Sequence, residues 1–226
     1  MKLLGLALSL CLVGSTLAFA QNSAPPDAPK PQPTEKQKFF SFSPSLSVAN
    51  DTQPMTAGEK FELFALNTVN PFEFVATAAA AGIAQADDRF HTWGQGAEGY
   101  GKRYGASYAD LASSNFFSTF FFPSILHQDP RYFRKESGNF GSRFKYAITR
   151  VVVTRTDSGH NAPNVSLWMG SLAAGGIINL YAPTADQGAG LAFEGAGVDI
   201  ASAAGFNVAR EFWPDVSRRL FHHNRH

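Results

Sequence analysis

Apolar residues recur at the spacing of an amphipathic helix in six stretches of the chain. The first follows Thr56 and Glu59, which are placed as a capping box and predict a helix to about residue 68. In the second, Asn70 and Glu73 repeat this device, with a proline at the first helical position and apolar residues on one face through residue 83.

Four further helices are predicted at about 97–122, 141–155, 163–181 and 188–213. Pro123 is expected to end the third helix. Pro214 is expected to kink the sixth helix, or to restart a last turn that reaches Phe221.

No stretch alternates strand and helix patterns, and no internal repeat is visible. The predicted fold class is therefore all-α: a compact bundle of about six helices over 56–222, followed by a tail at 223–226. Glycine and alanine cluster at 76–82, 99–106, 170–176 and 188–205. Each interior glycine lowers helix propensity by about 1 kcal/mol relative to alanine. We therefore expect close Gly/Ala contacts between helices to compensate.

The first twenty residues have the organisation of a secretory signal peptide. Lys2 supplies positive charge, residues 3–13 are apolar, and Ala18-Phe19-Ala20 matches a small-x-small cleavage site. Cys11, the only cysteine, would leave with residues 1–20, so no disulfide or thiol chemistry is expected in the mature chain. These features predict export to the periplasm or the envelope membrane.

Two segments of different character precede the helices. Residues 21–38 are rich in proline and polar residues and lack aromatic ones, which predicts a disordered tether. Residues 39–55 include FFSFSPSLSVA, in which apolar residues alternate with serine at the period of a strand. Pro44 favours an edge strand or an extended arm that lies on the domain.

Two stretches without charged residues, 111–128 and 158–185, are long enough to cross a bilayer. Both contain serine and asparagine together with proline or several glycines, which makes insertion marginal. Two alternatives stay open: an exported bundle that rests on a membrane, which we favour, and a bundle that spans it.

Charge is nearly balanced over the 226 residues, with 19 Lys and Arg against 18 Asp and Glu. We therefore expect no nucleic-acid partner, because such binding relies on a basic field. The strongest local bias lies within 101–160, where nine basic residues accompany four acidic ones.

Candidate site residues concentrate in that basic region, around PSILHQDPRYFRK at 123–135. One interpretation is that Asp129 caps a helix or turn and the arginines are solvated. The other is a pocket whose guanidiniums bind a phosphate, a carboxylate or a lipid headgroup. Its candidate ligand-binding residues are Arg131, Tyr132, Arg134, Arg150 and Arg155. No catalytic residue is assigned, and the candidates are His127, Asp129 and His160.

Part of this region resembles membrane phosphatidic-acid-phosphatase-type enzymes, in which Arg and Lys bind phosphate and a histidine attacks it. The similarity lies in Lys145, Arg150, Arg155, Ser158, Gly159, His160, Ser217, Arg218 and His222. The chain departs from the family pattern in having Asp157 in place of proline, a different histidine spacing and no final aspartate. The other interpretation of Asp157-Ser-Gly-His-Asn is a helix-ending turn.

Two further motifs have competing interpretations. Gly94, Gly96 and Gly99 match a dinucleotide-binding loop, but no strand is predicted before them, and a flexible entry to a helix is favoured. His222 and His226 have the spacing of a zinc pair without a carboxylate partner. We predict neither a cofactor nor a metal.

Four segments resemble those of a family of uncharacterised exported bacterial α-helical proteins. They are WGQGAEGYGKRY at 93–104, DPRYFR at 129–134, TRTDSG at 154–159 and EFWPD at 211–215. The resemblance spans about residues 58–221. It implies no activity, only that the four segments belong to one domain.

The sequence thus predicts a non-enzymatic, exported helical protein of the cell envelope that packs against membrane or an envelope partner. The alternative is a phosphoester hydrolase, or a binding pocket for an anionic phosphate or lipid headgroup, built from the basic region. Nothing in the sequence indicates an oligomeric state.

Overall fold

The computed structural model describes residues 47–49 and 51–221, with side chains described as far as 216. Several predicted segments lie outside these residues. They are the signal peptide, the tether, the part of the arm that precedes Ser47, and the histidines of the tail. The structure is 67% helical with few strands, so the predicted all-α class and compact helical bundle are confirmed.

Six helices of ten or more residues make up the described part of the bundle. They are α1 (Ala57–Thr68), α2 (Pro71–Ala86), α3 (Gly96–Asn115), α5 (Phe140–Thr149), α6 (Val165–Ile178) and α7 (Ala189–Phe221). Between α3 and α5 lie a π-helical segment, Phe116–Phe121, and the single turn α4, Phe122–Ile125. A 3₁₀ turn at His91–Trp93 precedes α3.

The first two helix starts show how far local signals reach. Thr56 Oγ1 accepts from the Glu59 amide at 3.2 Å, and Glu59 Oε2 accepts from the Thr56 amide at 2.7 Å, so the capping box is confirmed. At α2 the Asn70 side chain accepts from the Phe72 amide at 2.9 Å, but Glu73 does not complete a second box. Glu73 instead lines a partly open cavity between the helices.

A small antiparallel sheet, which the sequence did not predict, corrects the fourth helix. The helix ends at Thr149 rather than near Arg155, and the chain continues into β2, Val153–Thr156. This strand pairs with β1, Gln128–Asp129, and with β3, Asn161–Pro163, in the order β1-β2-β3. The β-branched run at 151–154 suits a strand, and pairing on both sides satisfies its backbone groups.

Pro123 does not end the helical path as expected, whereas the helix that contains Pro214 does reach Phe221. Pro123 lies in the first turn of α4, where the missing backbone N–H breaks no helical hydrogen bond. Pro214 lies inside α7, which runs on to Phe221. The π-helical segment thus lets the helical path continue beyond α3.

Close contacts between small residues hold α6 against α7, as the glycine clusters predicted. A Cβ at Gly175 would lie 2.2 Å from the Ala192 carbonyl oxygen, so the two backbones touch. Gly195 packs against Ile178 across the same interface. Any larger residue at Gly175 would force the helices apart.

Three charged residues are fully buried inside the bundle: Lys60, Arg103 and Glu211. Lys60 Nζ donates to the Asp157 carboxylate at 2.8 Å and to the Pro123 carbonyl at 3.2 Å. Arg103 donates to the carbonyl oxygens of Arg89 and Gly94, both at 2.7 Å. The interior is therefore held by polar contacts as well as by apolar packing.

Candidate functional site

The strand β1 and the segment that follows it bring Asp129, Arg131 and Tyr132 to the lining of a partly open cavity. Arg131 donates to Asp129 at 2.7 Å and to Asp51 at 3.1 Å. These hydrogen bonds raise the pKa of the guanidinium, against the opposing effect of its partial burial. Arg131 thus already binds two carboxylates, which oppose a role in holding an anion.

Tyr132 and Arg134 are held by α7 rather than directed at a ligand. The Tyr132 hydroxyl donates to Glu211 at 3.0 Å, and burial, with the Glu211 charge, raises the pKa of this phenol. Arg134 donates to the Glu211 carbonyl oxygen at 3.4 Å and does not line the cavity.

The other two candidate arginines each lie over an aromatic ring. Arg150 lines the cavity, lies 5.4 Å from the Tyr146 ring centroid and donates to Asn161 at 3.2 Å. Arg155 lies 4.7 Å from the Phe133 ring centroid and does not line the cavity. The structure therefore brings Arg131 and Arg150 to one cavity but not all four arginines.

Both candidate histidines lie outside the cavity on exposed turns. His127 Nδ1 is 3.9 Å from the Asp157 carboxylate, which is itself held by Lys60. His160 Nδ1 lies 3.2 Å from Ser158 Oγ. Among the described residues no carboxylate hydrogen-bonds His160, so this serine–histidine pair has no third group to orient the imidazole.

The cavity has a volume of about 360 Å³ and runs between α2, α3, α6 and α7. Its lining combines alanine-rich walls with acidic side chains from three helices: Glu73 on α2, Asp110 on α3 and Asp199 on α7. Five arginines also line it, namely Arg89, Arg103, Arg131, Arg150 and Arg210. The cavity therefore combines apolar walls with charged groups of both signs.

The three acidic side chains have strongly perturbed electrostatics. Burial raises the pKa of Glu73 to about 7 against the opposing charge of Arg210, and that of Asp110 to about 6 against the opposing charge of Arg89. Burial together with the charge of Asp110 raises the pKa of Asp199 to about 8. Buried carboxyl groups of this kind mark candidate functional positions.

The sequence pattern did not indicate Glu73, Asp110 or Asp199 as site residues. Glu73 was interpreted as a capping residue. Asp110 was counted only among the acidic residues of 101–160, and Asp199 was not singled out. A signal was present nonetheless, because Asp199 lies within the alanine- and glycine-rich stretch 188–205, where an isolated acidic residue has few polar neighbours.

The outer surface is unusually apolar. Leu180, Phe140 and Phe193 are 82%, 69% and 67% exposed. Other exposed large apolar side chains lie on α1, α2, α5, α6 and α7, namely Phe61, Phe74, Val75, Phe144, Ile148, Trp168, Met169, Leu172 and Val216. Apolar side chains therefore face outward while Lys60, Arg103 and Glu211 face inward.

No family model, curated protein or solved structure matches this chain. Within the described residues, no helix is both long enough and apolar enough to cross a membrane. The same residues contain no cluster of three or more His, Cys, Asp or Glu suited to a metal ion.

Proposed function

We propose that this protein is a non-enzymatic helical protein of the cell envelope whose outward-facing apolar side chains pack against membrane lipid. The observation that supports this is the exposure of Phe, Leu, Trp and Met side chains on five of the six long helices. Burying each such side chain contributes about 1.5–3 kcal/mol. Water is an unfavourable solvent for a surface of this kind.

The distribution of these side chains favours lipid over a single protein partner. The exposed apolar residues come from five helices, α1, α2, α5, α6 and α7. A lipid environment can contact several helices at once.

Trp168 on α6 is well suited to a lipid-facing position. Its side chain is about half exposed, and its indole Nε1 donates to the Val151 carbonyl oxygen at 2.8 Å. Because the only polar group of the ring is already satisfied, the exposed part of the ring can contact acyl chains without leaving a donor unpaired.

Vesicle flotation tests the proposal. The mature chain, residues 21–226, is mixed with neutral phosphatidylcholine vesicles at low and at high salt. We expect the protein to float with the vesicles under both conditions, because an apolar contact is not screened by salt. Recovery of the protein entirely in the soluble fraction would overturn the proposal.

A double substitution, Leu180→Ser with Phe193→Ser, tests the surface itself. Both side chains are largely exposed, so the fold should be retained, and the membrane-bound fraction should fall at least about tenfold. Glu62→Ser, an exposed polar position on α1, is the matched control and should bind as the unmodified protein does. Equal flotation of all three proteins would contradict the assignment of this surface.

A further inference from the structure

Three buried oxygen atoms of cavity-lining residues have no hydrogen-bond partner within the described part of the protein. They are Thr77 Oγ1, Asp110 Oδ1 and Asp199 Oδ2. Thr77 is only 3% exposed and lies on α2, where it lines the cavity. An unpaired buried polar group costs about 1–3 kcal/mol, so three of them along one cavity indicate a missing partner.

These oxygen atoms can be satisfied by a ligand that donates hydrogen bonds. An ionised carboxylate can only accept hydrogen bonds, and a threonine hydroxyl accepts readily. In their ionised forms, Asp110 and Asp199 therefore need a partner that brings N–H or O–H groups into the cavity.

The charged groups around Asp110 and Asp199 favour a positively charged ligand. Arg89 is the basic side chain whose charge acts on Asp110, and its guanidinium is engaged by Glu194 at 2.8 Å. The charge of Asp110 in turn raises the pKa of Asp199 to about 8, so Asp199 is mostly protonated at neutral pH and the two carboxyl groups repel each other when both are ionised. A positively charged ligand would relieve the repulsion between the two aspartates.

The remaining walls favour an organic cation over a metal ion. The described residues contain no group of three metal-ligating side chains, and Ala80, Ala106 and Val198 line the same cavity. These side chains can pack against an alkyl chain. The cavity volume of about 360 Å³ is in the range of small-molecule sites.

We propose that this cavity binds a small alkylammonium ion, with the ammonium group donating to Asp110 and Asp199 and the alkyl chain lying along the alanine-lined wall. The site differs from the anion pocket considered from the sequence, since its ligand has the opposite charge. It is also independent of the lipid-packing surface, so either proposal can fail without the other.

Ligand-observed NMR titration tests this site with butylammonium as the probe on the mature chain. Butanol and butyrate serve as uncharged and anionic probes of similar size. We expect saturable binding of butylammonium only. Equal binding of butanol would overturn the proposal in favour of a purely apolar cavity, and preferential binding of butyrate would overturn it in favour of an anion pocket.

Substitutions at Asp110 and Asp199 test whether butylammonium binds at these two side chains. Asp199→Asn should weaken butylammonium binding at least tenfold, and Asp110→Asn should do the same if the first variant fails to fold. Asp186→Asn, an exposed aspartate in the turn between α6 and α7, is the matched control and should bind as the unmodified protein does. No saturable binding to the unmodified protein, or unchanged affinity in a folded aspartate variant, would overturn the proposal.

Discussion

The Tyr132 hydroxyl donates a 3.0 Å hydrogen bond to Glu211, a fully buried residue 79 positions further along the chain. The same carboxylate accepts from the backbone amides of Lys135 and Glu136 and from Arg143 Nε. This network joins the DPRYFR segment to the EFWPD segment of α7. The role that the structure supports for Tyr132 is to anchor the segment after β1.

Glu211→Gln should destabilise the protein by about 3 kcal/mol, because it removes the buried one of the two carboxylates that pair with Arg143 and weakens several buried hydrogen bonds. Urea denaturation followed by circular dichroism would measure this loss. Glu62→Gln, at an exposed position on α1, should change stability by less than about 0.5 kcal/mol. A loss below 1 kcal/mol for Glu211→Gln would show that the network contributes little.

Lys60→Met should destabilise the protein by about 3–5 kcal/mol, since it leaves the partly buried Asp157 carboxylate without its closest cation. Adding Asp157→Asn should recover part of that loss, because the double variant buries no uncompensated charge. A double-mutant cycle of unfolding free energies provides the measurement. Additive losses would show that the two side chains do not interact.

Gly175→Ala should destabilise the protein by roughly 1–3 kcal/mol, because the added Cβ would lie 2.2 Å from the Ala192 carbonyl oxygen. Gly176→Ala is a matched control on the same helix, where an added Cβ meets nothing within 4 Å. That change should stabilise the helix by up to about 1 kcal/mol. Thermal denaturation of the two variants provides the measurement. Equal melting temperatures would contradict the close contact between α6 and α7.

Stability should fall as the pH rises from about 4 to 8. Burial raises the pKa values of Asp110 and Glu73 to about 6 and 7, and burial with the charge of Asp110 raises that of Asp199 to about 8. A carboxyl group with a raised pKa in the folded state favours folding while it is protonated. Its contribution is complete below the unfolded-state pKa and is lost as the pH passes the folded-state value.

Asp199→Asn should flatten this decline between pH 6 and 8 and should stabilise the protein at pH 9 by about 1 kcal/mol or more. The charged and polar neighbours that bear on Asp199 are Asp110 and Ser114 on α3, with Arg89 and Tyr181 nearby. Urea midpoints measured across the pH range would test this. A pH profile identical to that of Asp186→Asn would contradict it.

At acidic pH the opposite trend is expected from Glu211. Burial acts to raise its pKa, but the hydrogen bonds from Arg143, the Lys135 amide, Tyr132 and the Glu136 amide together lower the pKa below its ordinary value of 4.5. The stability that Glu211 contributes is therefore present above about pH 4.5 and is lost as the pH falls through the folded-state value. Glu211→Gln should remove this acid sensitivity, which urea midpoints between pH 2 and 5 would show.

The sequence by itself determined the helical class and the first helix start. The capping box of Thr56 and Glu59 is formed within four residues, so its geometry does not depend on the rest of the fold. Glycine clusters also indicated where helices approach closely, as at Gly175. These features were predictable because helix propensity and capping are local properties.

Only the tertiary structure decided the strand at 153–156 and the surroundings of the candidate site residues. The strand depends on partners at 128–129 and 161–163, and Arg131 is paired with Asp51, which is 80 residues away. The carboxyl groups of Asp110 and Asp199 come together only when α3 and α7 enclose the cavity. Burial and hydrogen-bond partners are set by contacts between distant segments, and helical periodicity carries no information about which segments meet.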